Sequence, residues 1–273
     1  MPLPLYDLPN WLFGMLVCGG WIVIGLGGYV VFHRICRVHF AEGEKNLAIA
    51  LLAVVATVNS LLMAFSAVSA WEAFRSADHA VHSEANTISA LSRDLAVFGS
   101  VESNQARELL RAYAKTVVEQ EWPNMRSGQP NHSTWTAADS MFRAVGTIQP
   151  GTPREMALMP EIWTRTNELI KYRRERLYAG EAEVPGTLWA VVTLGTFLTI
   201  MATYVFPRTA FNLVAVGVLS GSLGLVFFFI AAMDRPFAGK ESIDPEPIES
   251  TLLKMERWDA DTHNQRPAGI QVK

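Results

Sequence analysis

The hydrophobic pattern is set by four stretches without Asp, Glu, Lys or Arg: Leu8 to His33, Asn46 to Trp71, Val184 to Pro207 and Thr209 to Met233. About 20 apolar residues in a helix cross a hydrocarbon core of ~30 Å. Each stretch therefore predicts a transmembrane helix, over about 11–33, 47–71, 186–206 and 210–233. The helices fall into two hairpins, one closed by the polar turn Arg34 to Lys45 and the other by little more than Pro207 and Arg208. Between them lies a polar insert, Glu72 to Glu183, with helical periodicity and no alternation long enough to argue a strand. The predicted class is all-α. A first membrane hairpin covers 1–71, a soluble helical insert 72–183, a second hairpin 184–239 and a polar, partly disordered tail 240–273.

Span two is unusual. From Glu44 to Phe98 there is no Gly or Pro in 55 residues, and the first half is apolar while the second is charged. At ~1.5 Å per residue such a helix is on the order of 80 Å long, so span two is expected to run on into the insert as one rigid piece, ending at Gly99. A second insert helix is predicted over Ser103 to Trp122, with a stripe of Leu109, Leu110, Tyr113, Val117 and Val118, and Pro123 stops it. Pro123 to Ser133 reads as a loop and Thr134 to Val145 as a shorter helix. Thr152, Pro153 and Glu155 form an N-cap, N1 proline and capping-box carboxylate. The long helix they start should reach Ala179, with a kink at Pro160. One short helix is expected in the tail, around Ser250 to Trp258.

Composition agrees with a membrane protein: 50% of the 273 residues are hydrophobic and only 18% charged. A net charge of -3 gives no footprint for nucleic acid. The two cysteines, Cys18 and Cys36, supply neither a disulfide framework nor metal spacing. Met1 to Asn10 carries no Lys or Arg, so the first stretch reads as a retained span rather than a signal peptide. Asp78, His79, His82 and Glu84 are two imidazoles and two carboxylates without a matching third strong ligand, and read as a solvated helix face with local ion pairs rather than a metal site. No nucleophile and base pair with catalytic spacing is present, so neither an enzyme nor a cofactor is expected. Basic residues flank both sides of the spans, and the positive-inside rule does not orient them.

Polar groups at membrane depth are the first candidates for function. Asn59, Met63, Ser66 and Ala70, spaced by 4, 3 and 4, share one face of span two. Either they bond to neighbouring helices, or they line a water-filled path surrounded by several copies of the helix. Gly217, Ser220, Gly221 and Gly224 in span four, with Gly20, Gly25, Gly27 and Gly28 in span one, permit close packing within one chain or between copies. Asp234 and Arg235 stand at the water boundary of span four, as an anchor or as a charged ring at a mouth.

Four segments, FSAVSAWEAFR (Phe65 to Arg75), SEAN (Ser83 to Asn86), RRERL (Arg173 to Leu177) and MDRPFAG (Met233 to Gly239), give the chain a resemblance to a family of bacterial four-span proteins, the DUF4239 or bestrophin-like family. The resemblance extends from span one to Pro247. True bestrophins, which are anion channels, look similar in having four spans, a long second helix and an aromatic and Arg-containing exit, here Trp71, Phe74 and Arg75. Their tandem-Trp signature is absent: Ala73 and Phe74 follow the single Trp71. The resemblance implies a homo-oligomeric channel for small ions in the bacterial inner membrane, its insert and both termini cytoplasmic. Its path would be lined by span two, with Trp71, Phe74, Arg75, Asp234 and Arg235 at the exit or gate, and Glu84 and Asn86 as motif residues of the insert. The competing expectation is a membrane-anchored sensor or scaffold whose insert binds a ligand or protein and conducts nothing.

Overall fold

A computed structural model describes residues 8–36, 42–127, 133–181, 184–240 and 242–264. The centre of the first turn (37–41), part of the predicted loop after Pro123 (128–132), the join before span three (182–183) and the end of the tail (265–273) lie outside the described residues. Among those described, every regular element is helical. In order they are α1 (Asn10–Ile35), α2 (Glu42–Phe98), α3 (Val101–Thr116), a π-helical segment (Val117–Glu121), α4 (Trp122–Arg126), α5 (Ser133–Gly146), α6 (Pro153–Glu181), α7 (Gly186–Ala202), a 3-10 turn (Thr203–Val205), α8 (Ala210–Met233) and α9 (Glu246–Asn264). The four helices long and apolar enough to cross a membrane are α1, α2, α7 with its 3-10 turn, and α8. Two compact units result: Met1–Arg75 with Ala182–Glu241, and Ser76–Glu181 with Ser242–Lys273.

In the first unit α1 lies tight against α8. A Cβ on Gly25 would stand 2.0 Å from Ser220 Oγ, and one on Gly224 would stand 2.9 Å from the Cα of Cys18. Gly25, Gly28, Gly221 and Gly224 thus serve packing inside the chain, as small residues do between membrane helices, whereas a Cβ on Gly20 or Gly27 would meet nothing within 4 Å. Trp21, Tyr29, Met63, Val192, Ile200, Val216 and Phe227 fill the centre. At one end the Tyr29 hydroxyl donates to the carbonyls of Phe206 and Pro207 at 3.0 and 2.9 Å, and His33 Nε2 lies 2.9 Å from the same Phe206 oxygen. These bonds tie the turn between α7 and α8 to the end of α1. They satisfy carbonyls of the turn, which lie outside both helical ladders.

The second unit is a bundle of the remainder of α2 with α3 to α6 and α9. One face of α2 is buried at Ala77, Val81, Ile88, Leu91 and Leu95, the 3-and-4 spacing of a helix stripe. Gly99 ends that helix at φ 76°, and Ser100 then caps α3, accepting from the Ser103 N–H at 3.1 Å. The helix so begins at Val101, two residues before the predicted start. The expected stop at Pro123 is not a stop. Pro123 lacks an N–H, and in a continuous α-helix its ring would meet the carbonyl four residues back. The wider π turn relieves that clash, and Trp122 N–H bonds to the Val117 carbonyl. At the head of α6 the capping box forms: Glu155 N–H donates to Thr152 Oγ1 at 3.2 Å, and Gly151 and Thr152 N–H donate to Glu155 Oε2 at 2.7 and 3.2 Å. Part of the predicted tail is instead a 19-residue helix, α9, held to the bundle by buried Ile248, Thr251 and Met255.

Candidate functional site

In the first unit Asn59, Met63, Ser66 and Ala70 are all buried, at 2, 2, 1 and 1% exposure. Asn59 Nδ2 donates to Thr196 Oγ1 of α7 at 3.4 Å and approaches Met63 Sδ at 3.6 Å. Gly195 makes room for this pair, since a Cβ there would stand 2.3 Å from Asn59 Oδ1. Ser66 turns its hydroxyl back to the Leu62 carbonyl at 2.8 Å. Within one chain, then, Asn59 and Met63 of this face meet Thr196 of α7.

The exit residues are dispersed. Trp71 is 43% exposed, its ring stacked on Phe229 of α8 with centroids 6.4 Å apart. Phe74 is half-buried and Arg75 is exposed. Asp234, anticipated as an anchor or a charged ring, is buried and accepts the Val184 N–H at 2.7 Å just before α7. A carboxylate there meets an unpaired donor near a helix N-terminus, where negative charge is favoured. Arg235 beside it is half-buried.

The second unit holds the densest chemistry. Glu84, Glu121, Arg173 and Arg176 are each 1% exposed or less, with Tyr113 at 0%. Arg176 donates through Nε to Glu84 Oε2 at 2.6 Å and through Nη2 to Glu84 Oε1 at 3.3 Å and Glu121 Oε2 at 2.7 Å. Arg173 Nη2 donates to Glu121 Oε1 at 2.8 Å, and the Tyr113 hydroxyl donates to Glu84 Oε1. Aromatic faces enclose the cations, with Trp135 centred 4.3 Å from Arg173 Cζ and Trp122 5.5 Å from Arg176 Cζ. Two carboxylates and two guanidinium groups cancel, which is how charge survives without water. Burial alone would lower the Arg176 pKa; Glu84 and then Glu121 outweigh it and hold the guanidinium above its ordinary value. For Tyr113 burial comes first and Glu84 second, and both push the phenol well above 10.0.

Glu84 is therefore not part of a solvated face. His82 and Asp78, 3.8 Å apart and half-exposed, do form the expected local pair, but Glu84 lies on the buried stripe of α2. Asn86 is exposed. The chain brings SEAN and RRERL together across 92 positions through the Glu84 and Arg176 bonds. Sequence reading placed neither Glu121 nor Tyr113 in a site, although a signal existed. Arg173 and Arg176 continue the buried series Ile162, Thr166, Leu169 by steps of 4 and 3. Charges at stripe positions call for buried partners.

A family model described as the Bestrophin-like domain matches residues 7–248. The chain belongs to the bestrophin-like family. No curated protein matches this bestrophin-like chain. Among solved structures, a variant of the bacterial bestrophin homologue from Klebsiella pneumoniae is 12% identical with a TM-score of 0.65, covering 94% of this chain and 100% of that one. A second variant of it gives 0.63 at 12% identity over the same shares. A crystal structure described as a membrane protein also gives 0.63 at 12% identity, again over 94% and 100%. At that identity the likeness carries the fold alone. The bestrophin-like chain is thus an all-helical membrane protein in which two of its motif segments meet as a buried ionic cluster.

Proposed function

We propose that this bestrophin-like chain is one subunit of a homo-oligomeric ion channel of the bacterial plasma membrane, with its path lined by α2. Family membership supports the class. The observation that carries the path is the surface of α2 itself, which stays largely exposed along its apolar half. That surface sorts into two faces. Leu47, Leu51, Val54, Val58, Leu61 and Phe65 form a bulky one, suited to lipid. Ala53, Thr57, Ser60 and Ala64 form a small, hydroxyl-bearing one, also exposed, about 100° around the helix from the first. A single helix makes no pore, so the small face requires copies of itself around an axis. The Asn59 face then supports the lining helix from within, through α7. Trp71, Phe74 and Arg75 follow at the exit end, while Asp234 braces the start of α7.

Flux from liposomes tests this reading. Purified protein is expected to pass small ions, and Ser60→Leu and Ala64→Leu to reduce that flux several-fold while leaving the protein folded. A protein that moves neither halide nor monovalent cation over a range of voltage, pH and divalent concentration, or variants conducting like the parent, would overturn it. The same reading places the insert and both termini in the cytoplasm. Ser127→Cys should then stay unmodified by an impermeant thiol reagent in intact cells and react after permeabilisation. Labelling in intact cells would put the insert outside and favour a sensor.

A further inference from the structure

On the second unit α2, α3 and α9 enclose a pocket of about 210 Å³. Its wall carries three cations, Arg93, Arg107 and Lys254, and two hydroxyls, Ser89 and Ser92, with Trp258 beside them. Among the described residues, no carboxylate lines it. Asp259, on the same helix as Lys254, is engaged by Arg107 at 2.5 Å and by Arg111, and Arg111 also holds Glu108 at 2.8 Å. The group thus counts four cations against two carboxylates.

How Arg107 is held matters most. Its side chain is 11% exposed; Nε donates to Ser92 Oγ at 3.0 Å and Nη2 pairs with Asp259. The guanidinium is therefore fixed in place, and Nη1 carries no hydrogen bond to a described residue. Arg93 and Lys254 are exposed and have no ion pair among the described residues. A pre-oriented planar donor with two flanking cations and short hydroxyl donors is the set that recognises a tetrahedral oxyanion. Arg supplies directed bonds, Lys a point charge, and Ser the remaining donors. The Trp258 ring gives an apolar wall for an organic body attached to that anion.

We propose that this pocket is a binding site for a phosphate group carried by a small organic molecule. The inference is independent of the channel reading, since occupancy is read without flux. Calorimetry on the full-length protein in detergent, at constant ionic strength, uses pyrophosphate and glycerol 3-phosphate as soluble probes and short-chain phosphatidic acid as a headgroup probe. Arg93→Gln and Lys254→Gln alter groups that hold no ion pair among the described residues, so the fold should persist. Each is expected to weaken binding about tenfold, the loss of one charge-assisted contact, and Arg154→Gln, away from the pocket, to change nothing. Pocket-dependent binding of a soluble probe identifies a free phosphorylated ligand. Pocket-dependent binding of phosphatidic acid alone identifies a lipid headgroup, and either result upholds the phosphate site. Absence of binding in both arms, binding unchanged in both pocket variants, or equal loss in Arg154→Gln overturns it.

Discussion

Glu84 shows how much a single buried charge determines. Removing one partner from a buried ion pair strands the other, which costs about 3–5 kcal/mol, whereas trading the whole set for apolar groups can be neutral. Glu84→Gln and Arg176→Met should each destabilise the second unit by that amount in chemical unfolding, and the double variant by less than the sum. Tyr113→Phe removes only the hydroxyl bond to Glu84, so a smaller loss of about 1.5–3 kcal/mol is expected. The phenol also sets a pH limit. Because Tyr113 is raised above 10.0 in the fold, the native state binds its proton more tightly than the unfolded chain does. That stability is whole below pH ~10 and falls as pH climbs through the native value. A phenolate absorbance titration should show this group ionising only with unfolding, and Tyr113→Phe should flatten the alkaline loss. In the sequence, Glu84 and the two arginines are visible as motif letters and as stripe positions. Their partners are not, because Glu121 is brought in by a π turn that local pattern does not encode.

Helix ends and helix contacts are legible to different degrees. The Thr152 and Glu155 cap can be read directly, since every group in it lies within five residues. Thr152→Ala should destabilise the start of α6 by about 0.5–2 kcal/mol, seen as faster amide exchange in its first turn. Pro123 misleads for the opposite reason. Proline forbids a regular helix there, but whether the chain ends or widens depends on what surrounds it, and here Glu121 and Trp122 are both buried. α9 is longer than expected because a local pattern centred on Ser250 to Trp258 does not show that Ile248 will be buried. Glycine spacing announces close packing without saying which helices meet. With α8 against α1, Gly224→Val places a side chain on the Cys18 backbone and should cost about 1–3 kcal/mol by overpacking. Gly20 has nothing within 4 Å of its virtual Cβ, so Gly20→Ala should leave detergent stability unchanged.

For the whole molecule the four charge-free stretches are enough to count the candidate spans, because lipid tolerates no other pattern of that length. Which face of α2 would line a path is not legible in the same way. Asn59, Met63, Ser66 and Ala70 are the polar and small positions that pattern alone selects, yet within one chain Thr196 and Gly195, more than 130 positions away, pack on Asn59. The exposed alternative makes a sharp chemical distinction testable in the assembled protein. A thiol reacts as its thiolate, and a thiolate forms in water but not in hydrocarbon. With Cys18 and Cys36 changed to Ala, single cysteines at Ala64 and Phe65 differ by one position and by about 100° of helix rotation. Ala64→Cys should react with a charged methanethiosulfonate in reconstituted vesicles and lose ion flux on modification. Phe65→Cys should react far more slowly and keep its flux. Equal rates at both positions, or modification of Ala64→Cys without effect on conduction, would remove the small face from the path.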